Sequence, residues 1–234
     1  MIQRAHRIAS KRASAGQTCG CSGNPRFDGL DPAYKNVLWT VIFINAAMFL
    51  VEISAGKLAG SQALQADALD FLGDALTYGL SLAVIGMSLK VRSTAAMLKG
   101  FSLLIMGLWV FGSTTYQIFV LGVPKAEIMG VVGVLALMAN VASVLLLMRY
   151  KDGDANVRSV WLCSRNDAIG NIAVLAASVA VWFTASAWPD LVVAIIMASL
   201  FLRSAHLILV QAWQEYRSAE DMAALTSETH EHAR

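Results

Sequence analysis

The stretch Leu64-Gln-Ala-Asp-Ala-Leu-Asp-Phe-Leu-Gly-Asp-Ala-Leu-Thr-Tyr-Gly79 places three aspartates, Asp67, Asp70 and Asp74, inside an apolar run long enough to cross a bilayer. A carboxylate at bilayer depth is costly, and such residues face a polar pathway or bind an ion. Asp70 and Asp74 stand at i and i+4, so on a helix they share one face. A second apolar run, Leu162-Cys-Ser-Arg-Asn-Asp-Ala-Ile-Gly-Asn171, repeats the spacing with Cys163 and Asp167. Two helices that each offer a metal-competent pair predict one intramembrane cation site. A metal-ion transporter is therefore the leading expectation.

Composition sets the class. The chain has 234 residues, 57% of them hydrophobic and only 15% charged, with a mean hydropathy of +0.58. Soluble domains carry roughly 25% charged residues, so this depletion predicts an all-α, polytopic membrane protein. A spanning helix needs about 20 mostly apolar residues. Six spans are expected, at about Asn36–Gly56, Leu64–Met87, Met97–Leu121, Ile128–Met148, Trp161–Trp182 and Leu191–Trp213. The expected organisation is a tail over 1–35, a six-helix transmembrane domain over 36–213, and a short polar tail over 214–234.

Lys and Arg set the orientation. Arg4, Arg7, Lys11, Arg12, Arg26 and Lys35 precede the first span. Lys90, Arg92 and Lys99 lie near the second connection, and Arg149, Lys151 and Arg158 near the fourth. The first and third connections hold one Lys each, Lys57 and Lys125, and the fifth, around Ala187-Trp-Pro-Asp190, holds none. The alternation predicts both termini in the cytoplasm. The first 15 residues are basic and lack the apolar core of a signal peptide. Nothing beyond this short basic tail suggests nucleic-acid binding.

Zn²⁺ commonly takes four ligands in a tetrahedron from Cys, His, Asp and Glu. Asp70, Asp74, Cys163 and Asp167 supply four such donors from two helices, and packed helices lie about 8–10 Å apart. A thiolate biases the set towards softer ions, Zn²⁺, Cd²⁺ and Pb²⁺, over Mg²⁺ or Ca²⁺. Carboxylates clustered away from water share protons, and a metal must displace them to bind. Proton–metal exchange follows as the expected coupling. The blander alternative is a buried structural network of these acids with Asn171, Asn140 or Arg165.

With both pairs in place, the sequence resembles the cation diffusion facilitators. Ser61–Gly79, centred on Ala66-Asp-Ala-Leu-Asp-Phe-Leu-Gly-Asp74, is similar to that family's second transmembrane helix, which carries a His/Asp-x-x-x-Asp pair after an Ala-Asp-Ala run. Leu162–Asn171 is similar to its fifth helix, which carries another such pair. The resemblance covers roughly Trp39–Gln211 and implies six spans, Asp70 and Asp74 as one half of the metal site, and Cys163 and Asp167 as the other. It also implies a homodimer and a bacterial inner-membrane location.

Two departures stand out. Cys163 occupies a position where zinc transporters usually have His or Asp. About 20 residues follow the last expected span, too few for the family's usual cytoplasmic domain of at least roughly 50 residues, so the chain reads as a short form that dimerises through its membrane helices.

Further residues carry weaker signals. Asp67 is a candidate direct or supporting ligand, and Asn171, one turn after Asp167, a candidate supporting group. Glu52, Asn45, Asn140 and His206 are candidates for the transport pathway or for buried hydrogen bonding. His206 could relay protons near neutral pH. Cys19 and Cys21, in a tail expected to be cytoplasmic, are candidates for metal capture rather than a disulfide. The expected function is proton-coupled efflux of divalent heavy metals from the cytoplasm, with the metal as cargo and no resident cofactor. The alternative is a membrane metal sensor or partner subunit that does not transport. Three acids and a thiol without a nucleophile–His–acid set argue against an enzyme.

Overall fold

The computed structural model describes residues 32–84, 87, 89–120, 122–150 and 155–231. They form six helices: α1 (Pro32–Ala59), α2 (Gln62–Ala83), α3 (Leu89–Val120), α4 (Ala126–Leu147), α5 (Ala155–Thr184) and α6 (Trp188–Glu231). A 3₁₀ turn, Met148–Tyr150, follows α4. The prolines within the described residues, Pro32, Pro124 and Pro189, sit in the first turn of a helix or in a connection, where the missing N–H costs nothing. Each expected span centres on one helix, but the second, expected to reach Met87, leaves its helix at Ala83, and the fourth ends in the 3₁₀ turn at Met148. The apolar run that ends near Trp213 does not end its helix, because 214–231 lacks Gly and Pro and α6 continues to Glu231.

Five helices are long and apolar enough among the described residues to cross a membrane. The remaining one, α2, has 22 residues but carries Gln62, Gln65, Asp67, Asp70 and Asp74. The distribution of side chains is inverted relative to a water-soluble bundle. Phe43, Phe119 and Phe183 are 73–81% exposed, while Asn45, Glu52, Asp67, Asn140, Asn171 and Asp190 are buried. An apolar exterior around polar interior groups is the arrangement a bilayer favours. The chain is a multi-pass membrane protein.

Three connections meet at one end of the bundle. Gly60, at φ +70°, lets the chain reverse after α1, and the backbone N–H of Ser61 bonds to Gly56 O at 3.0 Å. Lys125 N–H bonds to Ala59 O at 2.9 Å, which places the α3–α4 connection beside the α1–α2 turn. Asp190 brings the α5–α6 connection to the same place. Its Oδ1 accepts from Ser61 Oγ at 2.6 Å and from Ala63 N–H at 3.1 Å, and its Oδ2 accepts from Gln62 N–H at 2.7 Å. A buried carboxylate from α6 thus caps the N-terminus of α2, where free N–H groups and the helix dipole favour negative charge. At the opposite end, Tyr34 and Tyr150 meet edge to face with ring centroids 5.1 Å apart.

Within this frame α2 packs against α1, α3, α5 and α6, whereas the longest single interface joins α3 to α6. That interface depends on small residues. A Cβ added at Gly100 would lie 2.7 Å from Leu209 Cγ, and one at Gly107 would lie 2.9 Å from Leu202 Cδ2. Close approach at small residues is a common means of joining helices in lipid.

Candidate metal centre

The aspartates of α2 do project into the bundle. At 1.5 Å per residue, Asp70 and Asp74 lie roughly 12 and 18 Å along the helix from Gln62, near its middle. Asp167 lies a similar distance, roughly 18 Å, along α5 from Ala155. Its carboxyl group comes within side-chain hydrogen-bonding reach of both Asp70 and Asp74. All three are half-buried because they line a cavity of about 400 Å³. Thr77 of α2, Asn166 of α5 and Ser204 of α6 add polar groups to its wall, while Met197, Leu200 and Phe201 close it with apolar surface. Among the described residues no three His, Cys, Asp or Glu side chains are grouped closely enough to hold a metal ion. The thiol of Cys163, the fourth expected donor, lies outside the described side chains, although its backbone belongs to α5.

Tyr78 fixes one edge of this acidic layer. Its hydroxyl donates to Asp74 Oδ2 at 2.5 Å and lies 3.4 Å from Ser164 Oγ on α5. The ring is fully buried in a cluster with Tyr34, Leu38, Val41, Leu147 and Tyr150. One rigid side chain therefore orients a carboxylate and links the two site-bearing helices. Asp74 and Tyr78 are i and i+4, so this contact is legible in the sequence once Asp74 is singled out.

A second acidic group lies nearer the capped end of α2. Glu52 of α1 and Asp67 of α2 face each other, and Glu52 also feels the charge of Asp70. Glu52 is 0% exposed and Asp67 2% exposed. Both Oε atoms of Glu52, and Oδ2 of Asp67, lack a hydrogen-bond partner of acceptable geometry among the described residues. Asn171 is also fully buried, with both amide heteroatoms unpartnered among those residues. Asn45 is buried but donates to Val41 O of its own helix at 2.8 Å, and Asn140 is buried on α4. His206 is exposed on α6, and it is Ser204 that reaches the cavity. Cys19 and Cys21 lie outside the described residues.

Sequence reasoning did not single out two residues that shape the centre. Asp190 was visible only as a connection residue, and its partners on α2 are more than 120 positions away. Lys99 counted only towards the charge of a connection. It lies on α3 at the cavity wall, with an attractive influence on Asp74. The signal was present: Lys99 is the one charged residue between Ser93 and Phe119, and a lone charge in an apolar span requires a partner.

Comparison with known proteins agrees with this architecture. The family model for the cation efflux transmembrane domain matches residues 38–215. The chain is 26% identical over 195 residues to zinc transporter ZitB of Pectobacterium atrosepticum, covering 76% of this chain and 60% of the relative. It is 25% identical over 166 residues to the metal cation efflux system protein CzcD of Cupriavidus metallidurans, covering 66% and 52% respectively. With the cadmium, cobalt and zinc/H(+)-K(+) antiporter of Bacillus subtilis it shares 24% identity over 192 residues, 74% of this chain and 60% of the relative. The chain thus spans 52–60% of the length of these curated relatives. A helical membrane bundle with Asp70 and Asp74 on α2 and Asp167 on α5, matched over most of its length by the efflux-domain model, belongs to the cation efflux family, the cation diffusion facilitators.

Proposed function

We propose that this protein is a secondary transporter that exports divalent heavy-metal cations, zinc and cadmium foremost and lead by the softness of its thiol, from the cytoplasm across the bacterial inner membrane in exchange for protons. The observation that carries this reading is the approach of Asp167 to both Asp70 and Asp74 at the wall of a cavity inside a membrane bundle. Asp70, Asp74, Cys163 and Asp167 are the proposed ligands. All six helices span in this reading, α2 included, because its aspartates face the cavity and its neighbours rather than lipid. Both termini then share the cytoplasmic side. Helices α1–α6 supply the interface of a homodimer.

The chemistry follows from the donor set. Three carboxylates packed together without a metal hold protons in common. A divalent cation entering the cavity sheds water, takes the carboxylate oxygens and the Cys163 thiolate, and releases those protons. Rocking of helices around the fixed site then exposes it to the other face, where protons return and the metal leaves. Glu52 and Asp67 lie between the site and the capped end of α2, suitably placed to line the exit. The names of the relatives, which include zinc transporters and an antiporter, support the substrate class and the exchange.

Metal binding to the purified chain tests the ligand assignment. Titration with Zn²⁺ or Cd²⁺ should show a site whose affinity falls at least tenfold, on the order of 1.4 kcal/mol, in Asp74→Ala and in Asp167→Ala. Wild-type affinity in both variants would refute the assignment.

A further inference from the structure

Lys99 is an unexpected presence beside a cation site. It is the one charged side chain between Ser93 and Phe119, a segment otherwise apolar enough to span a membrane. Its position is fixed by packing. The adjacent Gly100 lets Leu209 of α6 approach so closely that a Cβ would lie 2.7 Å from Leu209 Cγ. With α6 held against that side of α3, the lysine lines the same cavity as Asp70, Asp74 and Asp167. It lies roughly 15 Å along α3 from Leu89, and so towards the end of the bundle at which α2 finishes. Its charge acts attractively on Asp74.

We propose that Lys99 is a tethered counter-ion that competes with the transported metal for the carboxylates of the site. This inference rests on the metal-site reading above and deepens it. With the metal bound, three carboxylates, the Cys163 thiolate and one ammonium carry three negative charges, of which a divalent cation cancels two and leaves one; without the ammonium two would remain. Without the lysine, the carboxylates would hold a dehydrated divalent ion against a surplus of negative charge, and release would be slow. With it, the empty site is partly neutralised by a charge that cannot leave. An arriving metal must push the ammonium aside, and when it departs the ammonium returns to the carboxylates together with the protons. Lys99 is thus a positioning and affinity-setting residue: it limits how tightly the metal binds and keeps turnover fast. Its long, flexible stem, with a compact charge at the tip, suits such movement better than a planar guanidinium would.

The test compares wild type, Lys99→Met, Lys99→Arg and Asp74→Ala in the 234-residue chain. Zn²⁺ and Cd²⁺ binding is measured calorimetrically, and metal flux in proteoliposomes. Lys99→Met should bind metal about tenfold more tightly, since repulsion between like charges near the site is removed. Its KM for flux should fall and its maximal rate should fall with it. Lys99→Arg, which keeps the charge, should bind like wild type. Unchanged or weaker binding in Lys99→Met overturns the proposal, and so does tighter binding in Lys99→Arg. If Lys99→Met does not fold, Lys99→Gln carries the same expectations. Asp74→Ala separates the metal site from the counter-ion. If it retains full affinity, the metal site itself is misplaced; if it loses affinity while Lys99→Met matches wild type, the site stands and the counter-ion role fails.

Discussion

At the scale of single residues, the centre is defined by charge placed where lipid forbids it. Asp70, Asp74 and Asp167 converge from α2 and α5, and Tyr78 holds Asp74 by a hydrogen bond of 2.5 Å. The hydroxyl, not the ring, makes that bond, so Tyr78→Phe should preserve the fold while lowering maximal flux several-fold. A hydrogen bond to a charged group contributes about 1.5–3 kcal/mol. Flux and thermal melting measured on the same preparation would separate the two effects, and a wild-type rate would show that Asp74 needs no such restraint. Cys163 tests the softness of the donor set. Cys163→Asp should shift relative transport rates from Cd²⁺ towards Mn²⁺, because carboxylates favour harder ions. Unchanged ratios would count against a selective thiolate.

At the scale of helices, the cap on α2 is the feature most open to a stability test. Asp190 accepts three hydrogen bonds from Ser61, Gln62 and Ala63, so Asp190→Ala strands buried donors. The cost is about 1–3 kcal/mol for an unsatisfied group, read as a lowered Tm, with Asp190→Asn losing less. An unchanged Tm in Asp190→Ala would show that the cap is dispensable. A second test concerns Ala185, at φ +47° just after α5. Glycine adopts that conformation without strain, so Ala185→Gly should raise stability by roughly 0.5–1 kcal/mol.

The helices and the paired acids were legible in the sequence because apolar length and i, i+4 spacing are local signals. The extension of α6 beyond Trp213 was less so, since the end of an apolar run marks the end of the greasy segment and not of the helix. The cap by Asp190 and the approach of Lys99 to the cavity were hidden for another reason. Both depend on which helices become neighbours, and a single sequence states that only through pairs of residues far apart along it.

At the scale of the whole molecule, the fold is an apolar shell around a polar seam. Exposed Phe43, Phe119 and Phe183 face outwards, and the seam runs from buried Glu52 and Asp67 to the cavity of Asp70, Asp74 and Asp167. Three connections gather at one end through Lys125 and Asp190, so six crossings would return both termini to the other. In the proposed exchange this seam carries metal one way and protons the other. Zn²⁺ uptake into proteoliposomes under an imposed proton gradient tests that exchange most directly, with wild type and Asp74→Ala compared. Uptake should grow with the gradient, collapse when a protonophore dissipates it, and fall to the level of protein-free liposomes in Asp74→Ala. Stoichiometric metal binding with no uptake by folded, reconstituted protein would contradict it and favour a membrane metal sensor or partner subunit.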